Sequence, residues 1–144
     1  MTSVTRRYRF SASHRLHSGQ LSEEHNQEIY GKCNNPYGHG HDYVLDVTVD
    51  GPVQARSGLV VPIGALDRLI EAEVLTRFAG KNLNTDVPGF ASVVPTTENL
   101  AREIGARLRS AWSSAFAAGG PALAGIRLHE TDRNRVDLRL NGKT

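Results

Sequence analysis

Three histidines are the residues of this sequence best suited to chemistry: His39 and His41, in the string Gly38–His41, and His14 further upstream. Residues two apart on a strand point to the same face, so the imidazoles of the pair would lie side by side. Three imidazoles from neighbouring strands would bind Zn²⁺ and leave its fourth position open, as in catalytic zinc sites. The alternative is that they are structural histidines satisfied by ordinary hydrogen bonds. The remaining histidines lack this geometry and are not expected to be ligands: His17, His25 and His129.

Two further residues could take part in the same chemistry. Cys33 lies in a glycine-rich loop before the histidine pair, where a cation and imidazoles would lower the pKa of its thiol and make it a base. The alternative for Cys33 is a buried, inert side chain. Glu130 follows Ile126 and Leu128 on the apolar face of a predicted strand. A carboxylate there must be paired or must bind something, unless the strand ends before it and it points to solvent.

Strands must position these groups. Alternation with period two, together with a short apolar run at residues 58–62, predicts five strands. They cover approximately Tyr8–Leu16, His39–Val49, Gly58–Pro62, Ile126–Glu130 and Val136–Leu140. The polar stretch from about residue 18 to 38 is predicted to be a long loop, and so is Lys81–Pro95.

Two helices are predicted between the third and fourth strands. Apolar residues at helical spacing run from Leu66 to Phe78, and Gly80 suits the end of that helix. Thr97 could cap the second helix, whose buried stripe runs from Leu100 to Trp112. The order β-β-β-α-α-β-β indicates an α+β fold with an antiparallel sheet and two helices on one face. Residues 1–144 are predicted to form a single domain without internal repeats.

The composition argues against several classes of function. Apolar residues make up 39% and charged residues 22%, as in an ordinary soluble domain. The net charge of +2 comes from scattered basic residues, which does not favour nucleic-acid binding. No apolar run approaches the roughly 20 residues of a membrane helix, and the N-terminus lacks the apolar core of a signal peptide. The single cysteine suits a reducing compartment, so a cytoplasmic location is expected.

Four blocks of the sequence resemble the 6-pyruvoyltetrahydropterin synthases and the related 6-carboxytetrahydropterin synthases. They are Phe10–Leu16, Gly31–His41, Thr96–Asn99 and Glu130–Asp132. The resemblance runs in order from about residue 8 to 140. The string Cys33–His41 is closer to the pyruvoyl branch, and so is Lys81–Phe90.

The resemblance implies the tunnelling fold, in which each subunit has a four-stranded antiparallel sheet with short extra strands. In the oligomer, the sheets of the subunits join into a barrel. It also implies a homohexamer of two trimers with active sites at subunit interfaces. The family's reaction converts 7,8-dihydroneopterin triphosphate to 6-pyruvoyltetrahydropterin and eliminates triphosphate. The family's zinc ligands match His14, His39 and His41, its thiol base matches Cys33, and its pterin anchor matches Glu130. A segment that borders the family's pterin pocket matches Thr96, Thr97 and Glu98.

One pair of residues departs from the family pattern. Where the family has an Asp-His pair that assists the thiol in proton transfer, this chain has Ala79 and Gly80. The chain could catalyse the family reaction slowly. Alternatively, another histidine could have replaced the pair, and His129 is the weakest candidate for that role. It could instead be a repurposed zinc-dependent aldolase, cyclase or lyase acting on a pterin-like or other substrate. A non-catalytic pterin-binding homologue is a further alternative, although such a protein has no need of Cys33.

Overall fold

The computed structural model of the chain, which describes residues 1–141, is a five-stranded sheet with helices on one face. Four long strands form antiparallel pairs; in chain order they are β1 (Thr2–His14), β2 (His39–Gly51), β4 (Ala122–Thr131) and β5 (Asn134–Arg139). The short strand β3 (Lys81–Asn82) pairs in parallel with β1, which gives the order β3-β1-β2-β4-β5. The predicted α+β class and four-stranded antiparallel sheet with a short addition are therefore confirmed.

The helices differ greatly in length. They are α1 (Glu23–Tyr30), α2 (Ile63–Ile70), α3 (Thr76–Phe78), α4 (Leu83–Asp86) and α5 (Thr97–Ala115). A π-helical segment, Glu71–Leu75, joins α2 to α3, and 3₁₀ turns cover Gly31–Asn34 and Pro88–Phe90. Within residues 1–141, every helix is too short or too polar to cross a membrane.

The hydrophobic core lies between the sheet and the two main helices, α2 and α5. Its fully buried members include Tyr43, Leu45 and Val47 from β2, Leu66 and Ile70 from α2, and Leu100, Ile104 and Leu108 from α5. Full burial of each such aliphatic side chain contributes about 1.5–3 kcal/mol. The opposite face of the sheet is polar and is called the open face below; Arg7, Ser11, Asp42 and Asp46 lie on it.

The register between β1 and β2 positions the histidines. His14 lies opposite His39, Ala12 opposite His41 and Phe10 opposite Tyr43. Because side chains alternate along a strand, these residues all project to the helix-covered face. The sequence-based expectation that the three histidines share one face is therefore met.

Two predicted elements were wrong. Gly58–Pro62 is not a strand, because Gln54 accepts a backbone hydrogen bond from Gly58 and donates one to Leu59 in a local turn. The predicted loop 18–38 contains α1, which was missed because the helix buries only Asn26 and shows no apolar stripe. Its cap, Ser22, which accepts from the amide of His25 at 3.1 Å, was the signal that could have revealed it.

Other differences concern boundaries and short elements. The predicted loop Lys81–Pro95 contains β3, α4 and a 3₁₀ turn, which are too short to show periodicity. The cap of α5 is Thr96, not Thr97, since the hydroxyl of Thr96 accepts from the amide of Asn99 at 3.1 Å. The first strand begins at Thr2 and ends at His14, so Leu16 follows it.

Candidate metal centre and adjoining carboxylate

Four potential metal ligands converge at the end of β1 and the start of β2. One ligand atom from each of His14, Cys33, His39 and His41 lies within 4.8 Å of the others. His41 Nε2 is 3.1 Å from the Nε2 atoms of both His14 and His39. The three nitrogen atoms therefore face a common point, as ligands of one ion do.

His14 is held in the tautomer that a metal ligand requires. Its Nδ1 lies 3.0 Å from the carbonyl oxygen of Pro95, which can only accept, so Nδ1 carries the proton and Nε2 presents a lone pair to the cluster. Tyr43, fully buried, places its hydroxyl 3.3 Å from the same Nδ1. Burial, and next the neighbouring His41, lower the pKa of His14 to about 4, which keeps the ring neutral near pH 7. Neither Pro95 nor Tyr43 was among the expected site residues.

The loop before β2 packs closely against the end of β1. Gly38 has φ +70°, and a Cβ atom there would lie 2.7 Å from the carbonyl oxygen of His14, so only glycine fits. The amide of Leu16 donates to the carbonyl of Cys33 at 2.7 Å, and the side chain of Asn34 donates to the carbonyl of Leu16 at 2.8 Å. These contacts fix Cys33 and His39 relative to His14.

Cys33 is half-buried, with Sγ 3.2 Å from Nε2 of His39. Burial and, to a smaller extent, the carboxylate of Glu130 raise the pKa of its thiol. The sequence-based expectation was a lowered pKa, which assumed a cation at the imidazoles; the protein groups alone act in the opposite direction. A thiolate here therefore depends on a positive charge bound to the histidines.

Glu130 lies within β4 beside the cluster and does not point to solvent, since its side chain is 11% exposed. Its Oε2 accepts a hydrogen bond from the hydroxyl of Thr97 at 2.5 Å. Its Oε1 lies 3.8 Å from Nε2 of His41, which is beyond hydrogen-bond distance. Within residues 1–141, no lysine or arginine pairs with this carboxylate. One oxygen of a buried carboxylate is therefore available to a ligand.

The other residues singled out in the sequence lie at different distances from this centre. Thr97 contacts Glu130 directly, the hydroxyl of Thr96 caps α5, and Glu98 is exposed. His129 lies 3.4 Å from Asp46 on the open face, as expected from its position next to Glu130. The remaining histidines also lie outside the cluster: Nδ1 of His17 is 3.1 Å from the side-chain nitrogen of Asn34, and His25 is exposed on α1.

Ala79 and Gly80 lie at the edge of the sheet. The amide of Gly80, at φ +72°, donates to the carbonyl of Ser11 at 2.6 Å. Gly80 lines a cavity of about 310 Å³ together with Ser11, Ser13 and Asp42 from the open face and His41 from the cluster. A Cβ atom at position 80 would meet nothing within 4 Å. Within one chain, the cavity at this position therefore also borders His41, one of the clustered histidines.

The donor set suits a zinc ion. Three imidazole nitrogens and a thiol are ligands that Zn²⁺ prefers, and the hydrogen bond from His14 to Pro95 is the outer contact that typically orients a zinc-bound histidine. Binding by the three imidazoles alone would leave an open coordination position, whereas binding by Cys33 as well would close it.

Comparison with known proteins gives a consistent result. Residues 3–141 match the model of the family described as 6-pyruvoyl tetrahydropterin synthase. A 6-pyruvoyl tetrahydrobiopterin synthase of Poecilia reticulata is 48% identical over 137 residues, which covers 94% of this chain and 88% of that protein. The human protein of the same name is 43% identical over 133 residues, covering 92% and 88%. The structure of Caenorhabditis elegans 6-pyruvoyl tetrahydropterin synthase superposes with a TM-score of 0.84 at 36% identity, covering 96% of this chain and 94% of that one.

Proposed function

Because this chain belongs to the 6-pyruvoyl tetrahydropterin synthase family, we propose that it is a lyase acting on a reduced pterin. The reaction is conversion of 7,8-dihydroneopterin triphosphate to 6-pyruvoyltetrahydropterin, with elimination of triphosphate. The observation that supports this most strongly is the placement of a free carboxylate oxygen of Glu130 3.8 Å from a three-histidine cluster that adjoins a thiol. These are the parts needed to bind a pterin ring at one end and to move protons on its side chain at the other.

Zinc is the proposed cofactor, held by His14, His39 and His41, with Cys33 outside its coordination sphere. When bound there, the ion would polarise hydroxyl groups of the substrate side chain and make the neighbouring protons more acidic. The buried, neutral His14 and its fixed tautomer support this assignment, because a ligand imidazole must present a lone pair.

The protein groups have separate roles in the proposed reaction. The free oxygen of Glu130 accepts hydrogen bonds from the amino and ring N–H groups of the pterin, while Thr97 holds the other oxygen. Cys33 removes and returns protons on the side chain as the general base. Thr96 and Glu98 are proposed to border the same pocket, because they flank Thr97 at the start of α5.

A homo-oligomer is the proposed assembly, a hexamer of two trimers whose sheets join into a barrel. The strands β3 and β5 support this, since both are sheet edges with backbone groups that a second copy could pair.

The experiment that tests the proposed function is incubation of fully zinc-loaded protein with 7,8-dihydroneopterin triphosphate. The expected products are inorganic triphosphate and 6-pyruvoyltetrahydropterin in equal amounts. The Cys33→Ala variant, loaded to the same zinc content, serves as the control and should form neither. Absence of turnover by the fully loaded native chain would overturn the proposal.

A second reaction is favoured by one specific observation, the absence of proton carriers at Ala79 and Gly80. Retro-aldol cleavage of a dihydropterin side chain needs a metal and a base but less of a proton relay. It predicts that dihydroneopterin releases a two-carbon aldehyde, which can be trapped as a hydrazone. If no aldehyde is formed while triphosphate is released, this alternative is excluded.

The two reactions also respond differently to restoring the missing pair. In the double variant Ala79→Asp with Gly80→His, synthase turnover should rise, by up to about 10²–10⁴-fold if proton transfer limits it. Aldehyde release should not change. Because Gly80 has a positive φ, the variant carries backbone strain of about 1–3 kcal/mol, so its thermal stability is measured alongside. The single variant Ala79→Asp is the matched control without that strain.

A further inference from the structure

We propose that the cavity beside His39 is the subsite for the polyphosphate group of the substrate and that Lys32 is its anion-binding residue. The inference rests on the proposed function for the identity of the substrate, and His39 is the one residue that the cavity shares with the proposed metal ligands. The cavity measures about 570 Å³. Its lining residues are Gln27, Gly31, Lys32, Asn34, Asn35, Pro36 and His39.

The carboxylate and the cavity adjoin different histidines of the cluster. Glu130 is 3.8 Å from His41, His41 is 3.1 Å from His39, and Cys33 is 3.2 Å from His39. The carboxylate therefore lies beside His41, whereas the cavity is lined by His39. A pterin ring bound at Glu130 would extend its three-carbon side chain across the cluster. The phosphate on the last carbon would then enter this cavity.

The chemistry of the cavity suits an anion. Its lining includes one cation, Lys32, and the amide residues Gln27 and Asn35, and it contains no carboxylate. Asn34 also lines it, but its side-chain nitrogen already donates to the carbonyl of Leu16. The guanidinium of Arg15 adds a second positive charge nearby, since its Nε donates to the carbonyl of Asn34 at 3.2 Å. Polyphosphate needs cationic and N–H donors, which this lining provides.

Lys32 is free to bind such a ligand. Its side chain is exposed, and its ammonium forms no ion pair within 4.0 Å with any carboxylate among residues 1–141. It is also the residue directly before Cys33, the proposed base, in the chain. Lysine is a point charge that suits phosphate oxygens without demanding a fixed geometry. Loss of one such charge-assisted contact typically lowers affinity by about 10- to 100-fold.

Calorimetric titration of zinc-loaded protein tests the subsite. Three probes are compared: 7,8-dihydroneopterin triphosphate, 7,8-dihydroneopterin and inorganic tripolyphosphate. All titrations use a Cys33→Ser background, so that turnover of the probe during a titration is strongly slowed. In this background, the triphosphate ester should bind about 10- to 100-fold more tightly than dihydroneopterin, because of the added charge-assisted contact. Adding Lys32→Ala should remove most of that difference and leave the affinity for dihydroneopterin unchanged, and Lys32→Arg should restore it.

The matched control is Arg102→Ala, which removes one positive charge from an exposed position on α5. It should leave all three affinities unchanged. Equal losses of affinity in Lys32→Ala and Arg102→Ala would show that the effect comes from the overall charge of the protein. That result would overturn the subsite. Equal weakening of both pterins by Lys32→Ala would also overturn it. If tripolyphosphate binds in a Lys32-dependent way but neither pterin binds, the subsite stands and the proposed function fails.

Discussion

Two histidine–carboxylate pairs lie back to back on strands β2 and β4, and they differ in how completely their charges are paired. On the open face, Asp46 accepts two hydrogen bonds from Arg7, at 2.8 and 2.9 Å, and lies 3.4 Å from Nε2 of His129. On the helix-covered face, Glu130 accepts a hydrogen bond from the neutral hydroxyl of Thr97 and lies 3.8 Å from Nε2 of His41.

This difference distinguishes a carboxylate with a structural role from one that can bind a ligand. Arg7 and, to a lesser extent, His129 hold the pKa of Asp46 below its usual value, so its charge is already compensated within the chain. Glu130 is similarly buried but has no lysine or arginine partner among residues 1–141. A buried carboxylate with a free oxygen beside three imidazoles lowers the stability of the fold unless a ligand binds it. The two pairs therefore predict opposite consequences of mutation.

The largest effect is expected from Cys33→Ser, because the thiol is the only general base proposed for the site. Turnover should fall by about 10²–10⁴-fold, the range typical of a lost acid–base group. The zinc content should not change, since the three imidazoles are the proposed ligands and Cys33 is not one of them. Product formation and metal content are measured on the same sample. Loss of zinc together with activity would instead make Cys33 a ligand.

His41→Ala and His129→Ala test the two faces against each other. Removal of His41 should weaken zinc binding by at least about 100-fold, since even changes to residues that only support a ligand cost 10–100-fold. Removal of His129 should leave zinc affinity unchanged. Competition with a chromophoric chelator gives both affinities. If the two variants lost zinc equally, the assignment of the metal to the helix-covered face would be wrong.

Glu130→Gln and Asp46→Asn make the same chemical change on opposite faces. The first should weaken pterin binding by about 10- to 100-fold, because a charged hydrogen-bond acceptor is lost. The second should not affect pterin binding. Fluorescence titration with a reduced pterin measures both. A comparable loss in Asp46→Asn would mean that the open face also contributes to the site.

The smallest effect concerns stability. The pKa of Asp46 is lowered in the folded chain, so its contribution is present above the unfolded pKa, near 4, and is lost as pH falls through the folded value. Because Arg7 is 53% exposed, the pair should contribute below about 1 kcal/mol. The melting temperatures of native protein and Asp46→Asn should therefore differ at pH 7 and converge at lower pH. A difference that is independent of pH would contradict this origin.

Much of this arrangement could be predicted from the sequence because it depends on simple alternation. His39, His41 and Tyr43 share a face of one strand, and the register with β1 brings His14 to them. The same alternation correctly separates His129 from Glu130. The face of the sheet on which a side chain lies depends only on the position of its residue in the strand, and for this reason the cluster could be predicted.

Other features depend on contacts that have no sequence period. The carbonyl of Pro95 orients His14 from 81 residues away in the chain, and nothing in the sequence around Pro95 indicates that role. The two-residue strand β3 exists because it pairs with β1, not because of its own composition. The pairing of Asp46 with Arg7 likewise becomes visible only when β1 and β2 are in register.

The central claim is that three imidazoles on the helix-covered face bind zinc and leave a coordination position open for substrate beside Cys33. X-ray absorption spectroscopy at the zinc edge of the loaded protein tests this most directly. A three-imidazole site should show a first shell of nitrogen and oxygen atoms at about 2.0–2.1 Å, unchanged in Cys33→Ser. A sulfur scatterer at about 2.3 Å that disappears in Cys33→Ser would show a closed four-ligand site and contradict the account.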